Sequence, residues 1–295
     1  ATFSKLTHNE IYLKPENLQK TGSIKIRGAY FKMSSLSDEE KKRGVVTSSS
    51  GNHGQAVACA ATMLDVRSVI VMPEDAPKLK IAATEGYGAE VVLCGHFSHE
   101  RRSKAEELAR TRSLIHIDDV SDPKIITGHG TIGIDILQEL PDTDAIVCPC
   151  GSGGLISGIA AAVKQINPSV RVLGATPAGA PTMYRAIKEG RPVTLEKVDT
   201  IADGLRATRT YPLPFGLVKE YVDDIFLVED REIIDSLILL LERAKLLVEP
   251  SGAVSLAAVL AGKIRIRDKK VIVLLSGGNT DLAKVADMIG KDYRP

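Results

Sequence analysis

Short apolar runs alternate with longer stretches of helical periodicity along most of the chain. Each run ends in small or polar residues, and the stretch after it repeats its apolar positions every three or four residues. The runs are GVVTSSS, RSVIVMP, AEVVLCG, DAIVCPCG, RVLGATP, DIFLVED and KKVIVLLSGGN. Alternation of strand and helix patterns is typical of parallel sheets covered by helices. The pattern therefore predicts an α/β protein.

Two glycine-rich junctions between a predicted strand and a predicted helix lie far apart in the sequence. One follows the run GVVTSSS and the other follows DAIVCPCG. Two separate junctions favour two open, twisted, mostly parallel sheets over a single one. We predict a small domain over residues 44–121, inserted into a large domain that residues 1–43 and 122–295 form together.

Composition and charge exclude several classes of protein. The 295 residues carry a net charge of +1, with ordinary hydrophobic and charged fractions, so nucleic acid and anionic membranes are not predicted partners. No apolar run reaches the roughly 18 residues that span a bilayer. The four cysteines are few and irregularly spaced, which is typical of a reduced cytoplasmic protein.

The segment PCGSGGLISG is the best candidate for a phosphate site. Glycines at a helix start let backbone N–H groups converge, and the helix N-terminus adds positive partial charge. The segment lacks the Lys-Ser/Thr ending of a nucleoside triphosphate loop and the Gly-x-Gly-x-x-Gly spacing of a dinucleotide fold. Taken alone, it fits a tight turn with close helix packing equally well.

Two further junctions and one lysine complete the set of candidates. TSSSGNHGQ places hydroxyls and N–H groups at a helix start, which suits a carboxylate, although a plain helix cap explains part of it. VIVLLSGGN ends a predicted buried strand in polar residues. Lys25 lies between Ile24 and Ile26, where desolvation favours a neutral amine. A phosphate cradle and a buried lysine together favour pyridoxal phosphate, whose aldehyde forms a Schiff base with a lysine amine.

The motifs SIKIRGA, SSSGNHGQ, GSGGLISG, IADGL, EPSGA and LLSGGN occur in this order. They resemble the motifs of the serine/threonine dehydratase (threonine ammonia-lyase) and serine racemase family, over essentially the whole chain. The resemblance implies a fold type II pyridoxal phosphate enzyme, with a fold like that of the tryptophan synthase β-subunit.

The resemblance also implies the cofactor contacts. Lys25 matches the lysine that carries the cofactor and acts as base at the substrate α-carbon. Asn52 matches the residue that binds the phenolic oxygen, and Ser276 matches the hydroxyl that faces the pyridine nitrogen. Ile24 departs from the usual Phe, so we expect looser packing on that face of the cofactor. The phosphate-binding loop of the family corresponds in this chain to Gly151, Ser152, Gly153 and Gly154.

The implied reaction is β-elimination of L-threonine or L-serine to a 2-oxo acid and ammonia, catalysed by a homodimer. A hydroxyl at Ser276 does not readily protonate the pyridine nitrogen, which disfavours a long-lived carbanion and fits elimination. The resemblance assigns the loop that binds the substrate carboxylate to Ser49, Ser50, Gly51, Asn52 and His53.

Ser50 keeps a second activity open. Dehydratases of this family often carry Ala there, whereas racemases carry Ser, which can reprotonate the α-carbon on the face opposite Lys25. Serine racemase with side elimination is therefore the main alternative. A β-replacement enzyme like cysteine synthase fits less well, because IRGA after Lys25 is dehydratase-like. The alternative of another class is a non-catalytic protein that binds pyridoxal phosphate or another phosphate ligand.

Two further expectations follow from the family pattern. Racemase-like members bind a divalent cation through carboxylates where this chain has Thr176 and Thr182. Hard cations prefer carboxylate oxygen, so we expect no Mg²⁺ or Ca²⁺ site there. The sequence stops soon after Ser276, and on this pattern we expect no C-terminal regulatory domain.

Overall fold

The computed structural model describes residues 2–49 and 51–292. Strands are numbered in chain order: β1 (Glu10–Pro15), β2 (Val45–Ser48), β3 (Ser68–Met72), β4 (Glu90–Leu93), β5 (Ile115–His116), β6 (Ala145–Pro149), β7 (Arg171–Pro177), β8 (Asp224–Val228) and β9 (Lys270–Leu275). The helices are α1 (Thr2–Thr7), α2 (Lys25–Ser34), α3 (Asp38–Arg43), α4 (Asn52–Met63), α5 (Lys78–Gly86), α6 (Ser98–Thr111), α7 (Pro123–Glu139), α8 (Gly154–Ile166), α9 (Thr182–Glu189), α10 (Pro212–Tyr221), α11 (Asp230–Leu239), α12 (Pro250–Leu260) and α13 (Leu282–Asp292). No helix in this part of the chain is long and apolar enough to cross a bilayer.

The Cα positions divide into two compact units. The first takes in the described residues up to Leu18 and from His129 onward, and the second is Gln19–Gly128. The division falls within α7.

The first unit is built on a five-stranded sheet in the order β1-β9-β6-β7-β8. All four strand pairs are parallel, and Val147 of β6 lies opposite Val273 of β9. Strand β6 is buried at every position and β9 at all but its first, because strands covered on both faces become continuous apolar runs. The almost fully buried α12 packs on this sheet and supplies much of the core.

The second unit is built on a parallel four-stranded sheet in the order β4-β3-β2-β5. Helix α4 covers one face with a row of buried alanines, which lets it approach the strands closely. Two parallel sheets flanked by helices confirm the predicted fold class. The short strand β5 and the edge strand β1 were not predicted, because β1 is only partly buried and β5 has two residues.

The units differ from the predicted domain boundaries at two places. Residues 19–43 and 122–128 belong to the second unit, whereas the prediction assigned them to the large domain. Met33 of α2 and Ile125 of α7 are buried in the same apolar cluster as Val45 and Ile70 of the four-stranded sheet. Burial of these side chains in a shared core draws both segments to that unit.

Candidate active site

Lys25 is the first residue of α2. A turn precedes it in which Thr21 and Gly22 have left-handed φ angles of 60° and 68°. Ile24 and Ile26 are buried as predicted, at 3% and 6% exposure. Successive residues of a helix point about 100° apart, so burial of both neighbours does not bury Lys25. Its side chain stays 27% exposed.

The Lys25 amine forms an ion pair with a carboxylate that the sequence did not single out. Lys25 Nζ lies 3.6 Å from Asp119 Oδ2. Asp119 belongs to the segment after β5, near the end of the predicted small domain. The two buried isoleucines therefore do not define the surroundings of this amine by themselves, because an acidic side chain faces it.

His53 is buried close to this pair, in the first turn of α4. Its side chain is 3% exposed, and neither ring nitrogen has a hydrogen-bond partner among the described residues. Burial lowers the pKa of His53 to about 4; nearby Asp119 opposes this effect and Lys25 adds to it. The ring is therefore neutral near pH 7.

The loop between β2 and α4 has the geometry of an anion site. Ser49 follows β2, and its hydroxyl accepts a hydrogen bond from Gly51 N at 3.2 Å. Asn52 opens the twelve-residue helix α4, whose first N–H groups lack partners within the helix. The predicted carboxylate loop thus lies at a strand end and a helix start. Ser50, the predicted second base, lies outside the described residues.

The glycine-rich loop of the first unit lies between β6 and α8. Gly153 has a φ of +99°, and a Cβ there would collide with Cε of Met183. Only glycine fits this position without strain. The thirteen-residue helix α8 starts at Gly154 and directs its first N–H groups into the loop. The loop therefore fits a phosphate group, as the sequence predicts for Gly151, Ser152, Gly153 and Gly154.

Ser276 lies at the same edge of the same sheet. It follows β9, and extension of the β6–β9 register places it opposite Cys150, the residue before the glycine loop. Its side chain is 8% exposed. The structure thus brings the glycine-rich loop and Ser276 together at the carboxyl ends of neighbouring parallel strands, where sheets of this kind bind ligands.

Two further sequence motifs pack against the loops at this edge of the sheet. Gly204 of IADGL donates its N–H to the Ser251 hydroxyl of EPSGA at 2.8 Å. A Cβ on Gly252 would lie 2.6 Å from the Gly277 carbonyl oxygen, so EPSGA packs directly against the turn after Ser276. These motifs hold the loops in place.

Burial holds the two thiols beside the glycine-rich loop in their protonated form. Cys148 and Cys150 are fully buried, and burial raises the pKa of Cys150 to about 12 and that of Cys148 further.

The hydroxyls of Thr176 and Thr182 donate to the backbone carbonyls of Ala180 and Ala207. Within the described residues, no group of three or more His, Cys, Asp or Glu side chains could hold a metal ion.

Comparison with known proteins adds independent evidence. The model of a family described as pyridoxal-phosphate dependent enzyme matches residues 1–277. An L-threonine ammonia-lyase of Thermotoga maritima is 44% identical over 291 residues, 99% of this chain and 72% of that protein. The L-threonine dehydratase catabolic TdcB of Escherichia coli K12 is 44% identical over 98% of this chain and 88% of its own length.

Solved structures show the same relationship. The processed form of threonine deaminase isoform 2 from Solanum lycopersicum superposes with a TM-score of 0.94 at 37% identity, covering 98% of this chain and 86% of that one. Maize serine racemase superposes with a TM-score of 0.93 at 36% identity, covering 98% and 89%.

Proposed function

Because this chain belongs to the pyridoxal-phosphate dependent enzyme family, we propose that it is a threonine/serine ammonia-lyase. It would convert L-threonine or L-serine into a 2-oxo acid and ammonia. The observation that carries the proposal is the 44% identity to threonine ammonia-lyases and dehydratases over nearly the whole chain. The phosphate-compatible loop and the buried Ser276 support it.

The proposed roles follow the chemistry of each group. Lys25 would carry the cofactor, and its amine would take the proton from the substrate α-carbon. Asn52 would bind the phenolic oxygen. Ser276 offers a neutral hydroxyl toward the ring nitrogen, which orients the ring without a full charge. The N–H groups of Gly151, Ser152, Gly153 and Gly154 would hold the phosphate.

The substrate carboxylate would bind to the β2–α4 loop. The first N–H groups of α4 and the Ser49 hydroxyl provide donors for it. Bound pyridoxal phosphate supplies the electron sink that acidifies the α-hydrogen of an amino acid. The protein contributes the base, the orientation of the substrate and the stabilising donors.

Replacement of Lys25 tests the proposal. We expect the purified protein to show a visible cofactor band that shifts with L-threonine or L-serine, with 2-oxo acid and ammonia appearing. Lys25→Ala should abolish turnover. Lys32→Ala is the matched control, because Lys32 lies on the same helix and pairs with Asp122 at 2.7 Å. A Lys25→Ala protein with wild-type turnover would refute the proposed role.

A serine racemase activity is the second candidate. Ser50 in the sequence and the likeness to maize serine racemase favour it. The D-serine and the 2-oxo acid that form from L-serine would be measured in the wild type and in Ser50→Ala. Loss of D-serine with retained elimination would support a second base at residue 50, and two unchanged rates would exclude it.

Oligomeric state and location complete the proposal. We propose a cytoplasmic homodimer without a membrane or nucleic-acid partner. Light scattering on the purified protein measures the mass directly, and a mass near the monomeric 31.6 kDa would exclude the dimer.

A further inference from the structure

The amine of Lys25 lies at an unfavourable place for a positive charge. Lys25 is the first residue of the ten-residue helix α2, and the positive end of a helix dipole repels a cation. The carboxylate of Asp119, with its Oδ2 3.6 Å from Nζ, offsets this repulsion. Both side chains are partly exposed, at 27% and 39%, so the pair is reachable by solutes.

Nearby positive charge keeps Asp119 ionised. Partial burial raises the pKa of Asp119, but nearby positive charge, that of Lys25 first, outweighs this effect and lowers the pKa on balance. His53 behind the pair is buried and neutral near pH 7. The neighbouring acid has a different role, because Asp118 Oδ1 accepts hydrogen bonds from the backbone N–H groups of Val120 and Ser121. Asp118 thus shapes the loop, while Asp119 faces the lysine.

We propose that Asp119 is a positioning residue for Lys25, whose carboxylate holds the amine in place and stabilises its charged form. In the proposed elimination, the C–H bond at the substrate α-carbon breaks and a new N–H bond forms at Lys25 Nζ. The electron pair of the broken bond would become the Cα–Cβ double bond as the β-hydroxyl leaves with the C–O bonding pair and takes a proton from solvent to become water. Asp119 remains ionised and stabilises the new ammonium group. This second role rests on the proposed function; the ion pair itself does not.

Competitive labelling of the cofactor-free protein tests the pair. Acetic anhydride reacts with the uncharged form of an amine, and mass spectrometry after digestion reports Lys25 and Lys32 separately. Loss of one partly exposed ion pair predicts that Asp119→Asn raises the labelling rate of Lys25 roughly 2- to 5-fold. The rate of Lys32 should not change.

Two variants make the comparison specific. Asp122→Asn removes the partner of Lys32, so it should speed the labelling of Lys32 and leave Lys25 unchanged. Asp119→Glu keeps a carboxylate, so across the alkaline range Lys25 should be labelled as slowly in this variant as in the wild type. If Asp119 served only to maintain the fold, the carboxylate of Asp119→Glu would not restore slow labelling. In the loaded enzyme, Asp119→Asn should lower kcat.

The outcomes separate this proposal from the proposed function. Equal labelling of Lys25 in the wild type and Asp119→Asn, with a normal response of Lys32 to Asp122→Asn, would overturn the positioning role. Because no amino acid or cofactor is present in that assay, the ammonia-lyase proposal would stand. Faster labelling in Asp119→Asn without any turnover of L-threonine or L-serine by the wild type would support the pair and reject the lyase.

Discussion

At the residue scale, the backbone angle of Gly153 limits that position to glycine. Its φ of +99° lies in the left-handed region, and the side chain of Met183 occupies the space where a Cβ would stand. A turn of this kind lets the backbone N–H groups of the loop face one point. The glycine is therefore needed for the shape of the loop before any ligand binds.

Gly153→Ala should destabilise the cofactor-free protein. An L-residue in the left-handed region costs about 1–2 kcal/mol, so we expect a loss of that size in the free energy of unfolding by urea. Gly151→Ala is the matched control, because its Cβ would meet Leu205 at an ordinary 3.4 Å, and its effect should stay below about 0.5 kcal/mol. Equal effects of the two changes would contradict this account.

His53 should make stability depend on pH in the acid range. The unfolded imidazole takes a proton near pH 6.5, whereas burial delays protonation of the folded one to about pH 4. The stability that neutral His53 provides is therefore present above pH 6.5 and lost as the pH falls to 4. The loss reaches up to about 3 kcal/mol. Unfolding free energies across this range should fall less steeply in His53→Asn, and parallel curves would refute the assignment.

At the scale of elements, two helical glycines differ in what surrounds them. Gly128 in α7 leaves room for α2, since a Cβ there would lie 2.6 Å from the Arg27 carbonyl oxygen and 2.8 Å from Phe31 Cβ. Gly216 in α10 has nothing within 4 Å of its would-be Cβ. One glycine allows two helices to meet, and the other weakens its own helix.

Alanine at these two positions should shift stability in opposite directions. Gly128→Ala should cost about 1–3 kcal/mol through overpacking, whereas Gly216→Ala should gain roughly 0.5–1 kcal/mol of helix stability. Thermal and urea unfolding measure both. A neutral Gly128→Ala would mean that α2 and α7 can separate at no cost.

The sequence predicts elements better than it predicts contacts. All seven predicted strands are present. The central ones are apolar because both faces are covered, whereas the edge strands β4 and β8 are only partly buried and were recognised by their short apolar runs. The sequence pattern did not predict β1, because the charged residues Glu10 and Lys14 interrupt its apolar run. The position of Asp119 was also not predicted. Its proximity to Lys25 depends on the packing of distant segments, which no local sequence pattern around Asp119 records.

At the scale of the whole molecule, the two possible boundaries of the second unit can be separated by experiment. Fragment 19–128 contains the complete apolar cluster, including Met33 and Ile125. Fragment 44–121, the predicted small domain, lacks both. We expect cooperative urea unfolding, followed by circular dichroism, for the first fragment and a non-cooperative change for the second. Cooperative unfolding of fragment 44–121 would favour the predicted boundary.

The pairing of β1 with β9 has a consequence for the order of events during synthesis. Glu10 lies opposite Lys270, so β1 gains its neighbour only after β9 has been synthesised. The second unit, in contrast, is one continuous segment, so all its strands are synthesised within a short interval of each other. A nascent chain would then complete its inner segment first and carry an unpaired β1 until β9 has been made, and over that interval the exposed edge of β1 would depend most on chaperones.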